Sequence, residues 1–148
     1  MKKEKVWKWV VILFLCFIWI HSLIPADLSG AESTRWAELF NRIFAVLRLP
    51  FRFAGDHILR KMAHVSEYAL LGIFCTIYFR AAGKLEKSCG SHHLLYTGFT
   101  AAFLDETIQL FVQGRSGEIR DVWIDLLGFA AAAGIMTLAG RKKVSEKQ

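Results

Sequence analysis

Apolar positions in this chain come as four long blocks rather than as short alternating runs. The first runs from about Val6 to Ile24. Between Trp9 and Ala26 it holds 18 residues without an Asp, Glu, Lys or Arg, close to the length of one bilayer crossing. The others run from about Met62 to Phe79, from about Leu94 to Val112 and from about Val122 to Ala139. The pattern predicts an all-α, polytopic membrane protein with four transmembrane helices over residues 6–24, 62–80, 94–112 and 122–140. The last three blocks carry Glu67, then Asp105 and Glu106, then Asp125. A soluble bundle would spread such charges along a polar stripe. Here they cluster toward one end of each block, and the stretch from Leu126 to Met136 is wholly apolar.

The connection between the first two blocks has a different period. Trp36, Leu39, Phe40, Ile43 and Leu47 recur at helical spacing, with Arg35, Glu38, Arg42 and Arg48 between them. This predicts an amphipathic interfacial helix over residues 33–48, with Ser33 as its N-cap and Pro50 as its stop.

With 148 residues, the chain reads as a single domain, residues 1–148. Its composition, 54% apolar and 22% charged, excludes a disordered segment. The net charge of +6 lies at block ends rather than on one stripe, which suits an anionic membrane surface and not nucleic acid. Eleven basic residues fall in the two termini and the second connection, against eight in the other two connections. The positive-inside rule then expects both termini in the cytoplasm. The basic start resembles a signal peptide, but no small-residue cleavage site follows near Pro25, so an uncleaved helix is expected. Cys16, Cys75 and Cys89 have neither disulfide nor zinc spacing and read as free thiols. No metal and no cofactor are expected from spacing alone. His21 and His57 stand alone and receive no role, and the adjacent His92 and His93 point apart on a helix.

Antiparallel spans alternate in direction, and this brings the polar groups to one membrane face, the outer one in the expected orientation. His64 and Glu67 start the second span, with Arg60, Lys61 and Tyr68 in the same sector; Asp105, Glu106 and Gln109 end the third; Asp121 and Asp125 start the fourth. Gly128 and Ala132 continue the stripe of Asp121 and Asp125 and permit close helix packing. Charges within spans face a bundle interior or a wet cavity. Each group also has a purely structural reading: Glu67 paired with Arg60 or Arg115, a polar cap at Asp105, Glu106 and Gln109, and a turn at Arg115 pinned by Asp121. The convergence of so many groups at one depth favours a functional cavity.

Two stretches resemble the VanZ-like family of bacterial membrane proteins. One is the run from Arg60 to Gly72, with Arg-Lys-x-x-His-x-x-Glu-Tyr at its start. The other is the run from Asp105 to Gly128, with Asp-Glu-x-x-Gln, then Gly-Arg, then Asp. The chain departs from the family at Gln113, where members often have Pro, and at Asp125, where many have Asn. The resemblance implies a multi-pass protein of the bacterial cytoplasmic membrane and cell envelope; the name-giving member is associated with low-level teicoplanin resistance.

Three functions compete. The first is a non-enzymatic outer-leaflet cavity for an amphiphile, either a lipid-linked wall precursor or a lipoglycopeptide. Arg60, Arg115 and Arg120 would meet its anionic groups, and Glu67, Asp105, Glu106 and Asp125 its amines or hydroxyls. Lys61, His64, Tyr68, Gln109 and Asp121 complete the candidate ligand-binding set. The second is an intramembrane enzyme acting on a lipid-linked cell-wall precursor. Its candidates are His64 as base and Glu106 or Asp125 as acid, with Glu67 as a further catalytic candidate. It lacks a recognisable nucleophile, so activated water or a divalent ion would have to serve. The third is proton- or ion-linked transport by a homo-oligomer, which the apolar cytoplasmic half does not favour. The binding reading ranks first.

Overall fold

The structure, a computed structural model, describes residues 2–50, 52, 56–86 and 88–145. Five helices build it: α1 (Lys2–Ser22), α2 (Ala26–Val46), α3 (Asp56–Ala81), α4 (Gly90–Gln109) and α5 (Ile119–Ser145), with no strand among the described residues. Among the described residues, three segments are long and apolar enough to cross a membrane: Lys2–Ser22, Ile58–Ala81 and Ile119–Gly140. The helix with Asp105 and Glu106 near its end, α4, is not in that set.

The helix after the first span begins earlier than its pattern predicts, at Ala26 rather than Ser33. Pro25 is its N-cap, with φ −54° and ψ 150°. Proline suits a helix start because its missing N–H needs no partner there, and Asp27 in the first turn complements the helix dipole. Ser33 is therefore an interior residue, not a cap. At the other end the helix stops before Pro50. Arg48 takes φ 53°, its N–H donates to the Ala45 carbonyl at 3.2 Å, and the Leu49 N–H donates to the Phe44 carbonyl at 2.9 Å. These paired bonds satisfy the last helical carbonyls.

The central helix is α3, which packs against α1, α2, α4 and α5. Its contact with α5 is the most extensive in the molecule, and small residues permit it. A Cβ on Gly128 would stand 2.7 Å from the Val65 carbonyl oxygen, and one on Gly72 would strike the backbone of Phe129. The Phe129 ring fills the space beside Gly98. Ile18, Tyr68, Leu71, Cys75, Ala102 and Phe129 are fully buried around this crossing.

The outer surface carries a broad apolar belt. Trp9, Leu13, Ile20, Phe103, Leu127 and Ile135 all stand exposed. A water-soluble bundle would cover such a belt with charge. Among the helices α2 packs on α3 alone and buries Ser29 and Ala37. Leu39, Ile43 and Val46 face outward.

Candidate functional site

The polar end of the bundle is organised by the loop between α4 and α5. Gly114 takes φ +74°, a conformation that side chains disfavour, and turns the chain back toward α2. The Ala26 N–H then donates to the Gln113 carbonyl at 3.2 Å. Gly117 lies so close to the end of α4 that a Cβ there would strike the Glu106 carbonyl oxygen. The Glu106 carboxylate accepts the Glu118 backbone N–H at 2.9 Å and the Gln109 amide at 3.3 Å. A carboxylate at that place faces the positive end of the α5 dipole.

Within this frame lies a cavity of about 90 Å³. Arg60, Lys61 and His64 of α3, Glu106 and Gln109 of α4, Asp121 and Asp125 of α5, and Arg115, Ser116 and Glu118 of the loop line it. Lys61 forms an ion pair with Asp121. Arg115 donates Nε–H to the Ile24 carbonyl at 2.9 Å, and its buried NH2 group has no hydrogen-bond partner among the described residues. Burial and the like charge of Arg60 lower the Arg115 pKa; the nearby carboxylates of Asp105, Glu106 and Glu67 oppose the shift. Arg60 makes no ion pair among the described residues.

At the inner wall His64 Nδ1 lies 3.7 Å from Asp105 Oδ2. His64, Asp105 and Asp125 each offer a donor atom within 4.8 Å of the others, a set able to hold a metal ion. Asp105 is 0% and Asp125 1% exposed. Neither Asp105 oxygen makes a hydrogen bond of good geometry, although the Ser22 hydroxyl is near. Asp125 Oδ2, His64 Nδ1 and the buried Tyr68 hydroxyl likewise lack partners among the described residues.

A second, apolar space of about 380 Å³ opens beneath α2. Ser29, Ser33, Trp36 and Phe40 of α2 line it with Leu59, Met62 and Ala63 of α3. Arg60 and His64 belong to both walls, so the polar cavity and the apolar groove adjoin.

Eight of the twelve residues singled out as ligand-binding candidates line the polar cavity: Arg60, Lys61, His64, Glu106, Gln109, Arg115, Asp121 and Asp125; Arg120 stands exposed and is not part of its wall. Asp105 and Tyr68 stand behind it, fully buried. Glu67 turns away to His21, whose Nδ1 lies 3.0 Å from Glu67 Oε1. That pairing corrects two expectations: His21 does not stand alone, and Glu67 pairs with neither Arg60 nor Arg115. Asp121 holds Lys61 rather than pinning Arg115. His57 has no described side chain. Sequence reasoning also missed Ser22, which receives the Gln109 amide at 3.5 Å, and Glu118, which acts through its backbone. Nothing in the spacing of either residue signals these roles.

Three apolar helices and an apolar outer belt fit a membrane protein. No curated protein and no solved structure matches the chain. One family model does match, over residues 7–140, and it spans both the signature around His64 and the one from Asp105 to Gly128. The chain belongs to the VanZ/LLP1 family.

Proposed function

We propose that the chain is a four-span protein of the bacterial cytoplasmic membrane, with α1, α3, α4 and α5 as the spans, both termini in the cytoplasm and α2 in the outer interface. We further propose that its outer end binds an amphiphilic envelope ligand without chemical turnover. One observation carries the reading: a polar cavity and an apolar groove share the wall formed by Arg60 and His64. An anionic headgroup oxygen would bind the unpartnered NH2 group of Arg115, with Arg60 beside it. The hydrocarbon would lie beneath α2 against Trp36, Phe40 and Met62. A cavity of about 90 Å³ suits a phosphate-sized group. A lipid-linked wall precursor therefore fits better than a whole lipoglycopeptide, whose peptide and sugars would remain outside. Teicoplanin resistance would follow if occupancy of this site changes how much drug the cell surface retains.

An intramembrane enzyme acting on a lipid-linked cell-wall precursor is favoured by the approach of His64 to Asp105. Against it, one Glu106 oxygen holds the α4–α5 turn, the other accepts the Gln109 amide, and one Glu67 oxygen faces His21. The Ser66 hydroxyl donates to the Ala63 carbonyl at 2.7 Å, away from the cavity wall.

The test is teicoplanin susceptibility and surface binding in a sensitive Gram-positive host with matched membrane levels of protein. Wild type should lower drug binding, and Arg115→Ala should not. If both behave like empty vector, the resistance link fails. Turnover of a labelled wall precursor by purified wild type would transfer the site to the enzyme reading.

A further inference from the structure

Asp105 and Asp125 present a problem that an anionic ligand does not solve. They come from α4 and α5, are 0% and 1% exposed, and face each other across His64 of α3. Two carboxylates at this depth repel each other and lose hydration, and an uncompensated buried charge is strongly destabilising. No Lys or Arg forms an ion pair with either aspartate among the described residues. Lys61 is committed to Asp121, and Arg115 is anchored on the Ile24 carbonyl. Meanwhile the oxygens of Asp105, Asp125 Oδ2, His64 Nδ1 and the Tyr68 hydroxyl make no good hydrogen bond among the described residues. Polar atoms so deeply buried are nearly always partnered, and the three from His64, Asp105 and Asp125 converge, which calls for a missing partner.

We propose that His64, Asp105 and Asp125 form a binding site for one divalent metal ion. A dication balances two aspartates and a neutral imidazole without residual charge. One nitrogen and two carboxylate oxygens suit a first-row ion such as Zn²⁺ or Mn²⁺; Mg²⁺ and Ca²⁺ prefer all-oxygen sets. The donors lie within 4.8 Å of one another. A tetrahedral site with bonds of about 2.1 Å needs separations of about 3.4 Å, a closure that side-chain adjustment supplies. His64 and Asp125 also line the polar cavity, so the coordination positions left over face it. Asp105 is the ligand hidden behind them. The site is invisible in the sequence because its three ligands stand on three helices, without a metal-type spacing. Binding of the ion does not depend on the proposed amphiphile.

The experiment uses the full chain in detergent, stripped with a chelator and titrated calorimetrically with Zn²⁺, then with Mn²⁺ and Mg²⁺. Wild type should take up one Zn²⁺ or Mn²⁺ per chain, prefer it to Mg²⁺, and melt at a higher temperature when loaded. His64→Gln, Asp105→Asn and Asp125→Asn should each weaken binding by more than the roughly 10- to 100-fold that losing an outer-shell partner costs. Glu38→Gln, on the exposed side of α2, should bind like wild type. The sign of the stability change gives a second readout. Without metal, Asp125→Asn should melt no lower than wild type, because it removes an unbalanced charge; with Zn²⁺ the order should reverse. Having three ligand variants keeps the test decisive if one misfolds. Less than stoichiometric uptake by wild type, or uptake unchanged in the folded ligand variants, would overturn the site.

Discussion

The two ends of the bundle solve the same problem in opposite ways. At the end away from the cavity, three threonine hydroxyls are satisfied within their own helices. The Thr76 hydroxyl donates to the Gly72 carbonyl, Thr97 to His93 and Thr137 to Ala133, each four residues back. Arg80 closes onto the Met136 carbonyl at 2.6 Å, and Lys84 stacks 4.9 Å from the centre of the Tyr78 ring. Aromatic pairs fill the space between, with Phe14 edge-on to Phe74 at 5.0 Å. At the cavity end the polar groups come from different helices, and several keep an atom without a hydrogen-bond partner among the described residues: His64, Glu67, Tyr68, Asp105, Arg115 and Asp125. The same close crossing of α3 and α5 supports both ends. A chain that needed only to fold could treat both ends alike. The difference locates where this one keeps polar capacity for something other than itself.

Substitutions can break or sharpen this contrast. The largest stability effect should come from the shared support. Phe129→Ala empties a fully buried ring position beside Gly98 and should destabilise the bundle by about 3–5 kcal/mol, measured by thermal or denaturant unfolding in detergent. Arg115→Ala should act mainly on binding. Losing a charge-assisted contact worth about 1.5–3 kcal/mol should weaken binding of an anionic polyprenyl lipid by about 10- to 100-fold in a titration. His21→Ala removes the partner of Glu67 in a partly exposed pair and should cost about 1 kcal/mol or less of stability. The smallest effect belongs to the self-satisfied end. Thr76→Val removes a hydroxyl bonded within its own helix and keeps the shape, so stability should change by less than about 1 kcal/mol and lipid binding not at all. A binding loss in Thr76→Val as large as that in Arg115→Ala would erase the contrast between the ends.

The convergence at the cavity end could be read from the chain because it follows from two regularities. Helices that reverse direction bring the start of one beside the end of the next, and a period of 3.6 assigns faces. His64, Glu106, Gln109, Asp121 and Asp125 meet in the cavity on those grounds. Pairings across helices were not legible in this way. His21 and Glu67 are 46 positions apart, and no spacing rule relates them. The start of α2 was misread because a cap-type serine outweighed Pro25 and Asp27, although Pro at a helix start followed by an acid is itself a start signal. The end of α4 falls short of the apolar block, at Gln109 rather than Val112, where the chain turns so that Glu106 can receive the Glu118 N–H. Hydropathy does not register a stop set by a distant backbone donor.

The central claim is that the cavity end binds an anionic amphiphile through Arg115. Its most direct test is titration of the purified full chain in lipid nanodiscs with a polyprenyl phosphate, comparing wild type, Arg115→Ala and Thr76→Val. Saturable binding to wild type and to Thr76→Val, with a loss of at least about tenfold in Arg115→Ala, is the predicted result. No saturable binding to wild type, or equal affinity in all three proteins, would contradict the claim.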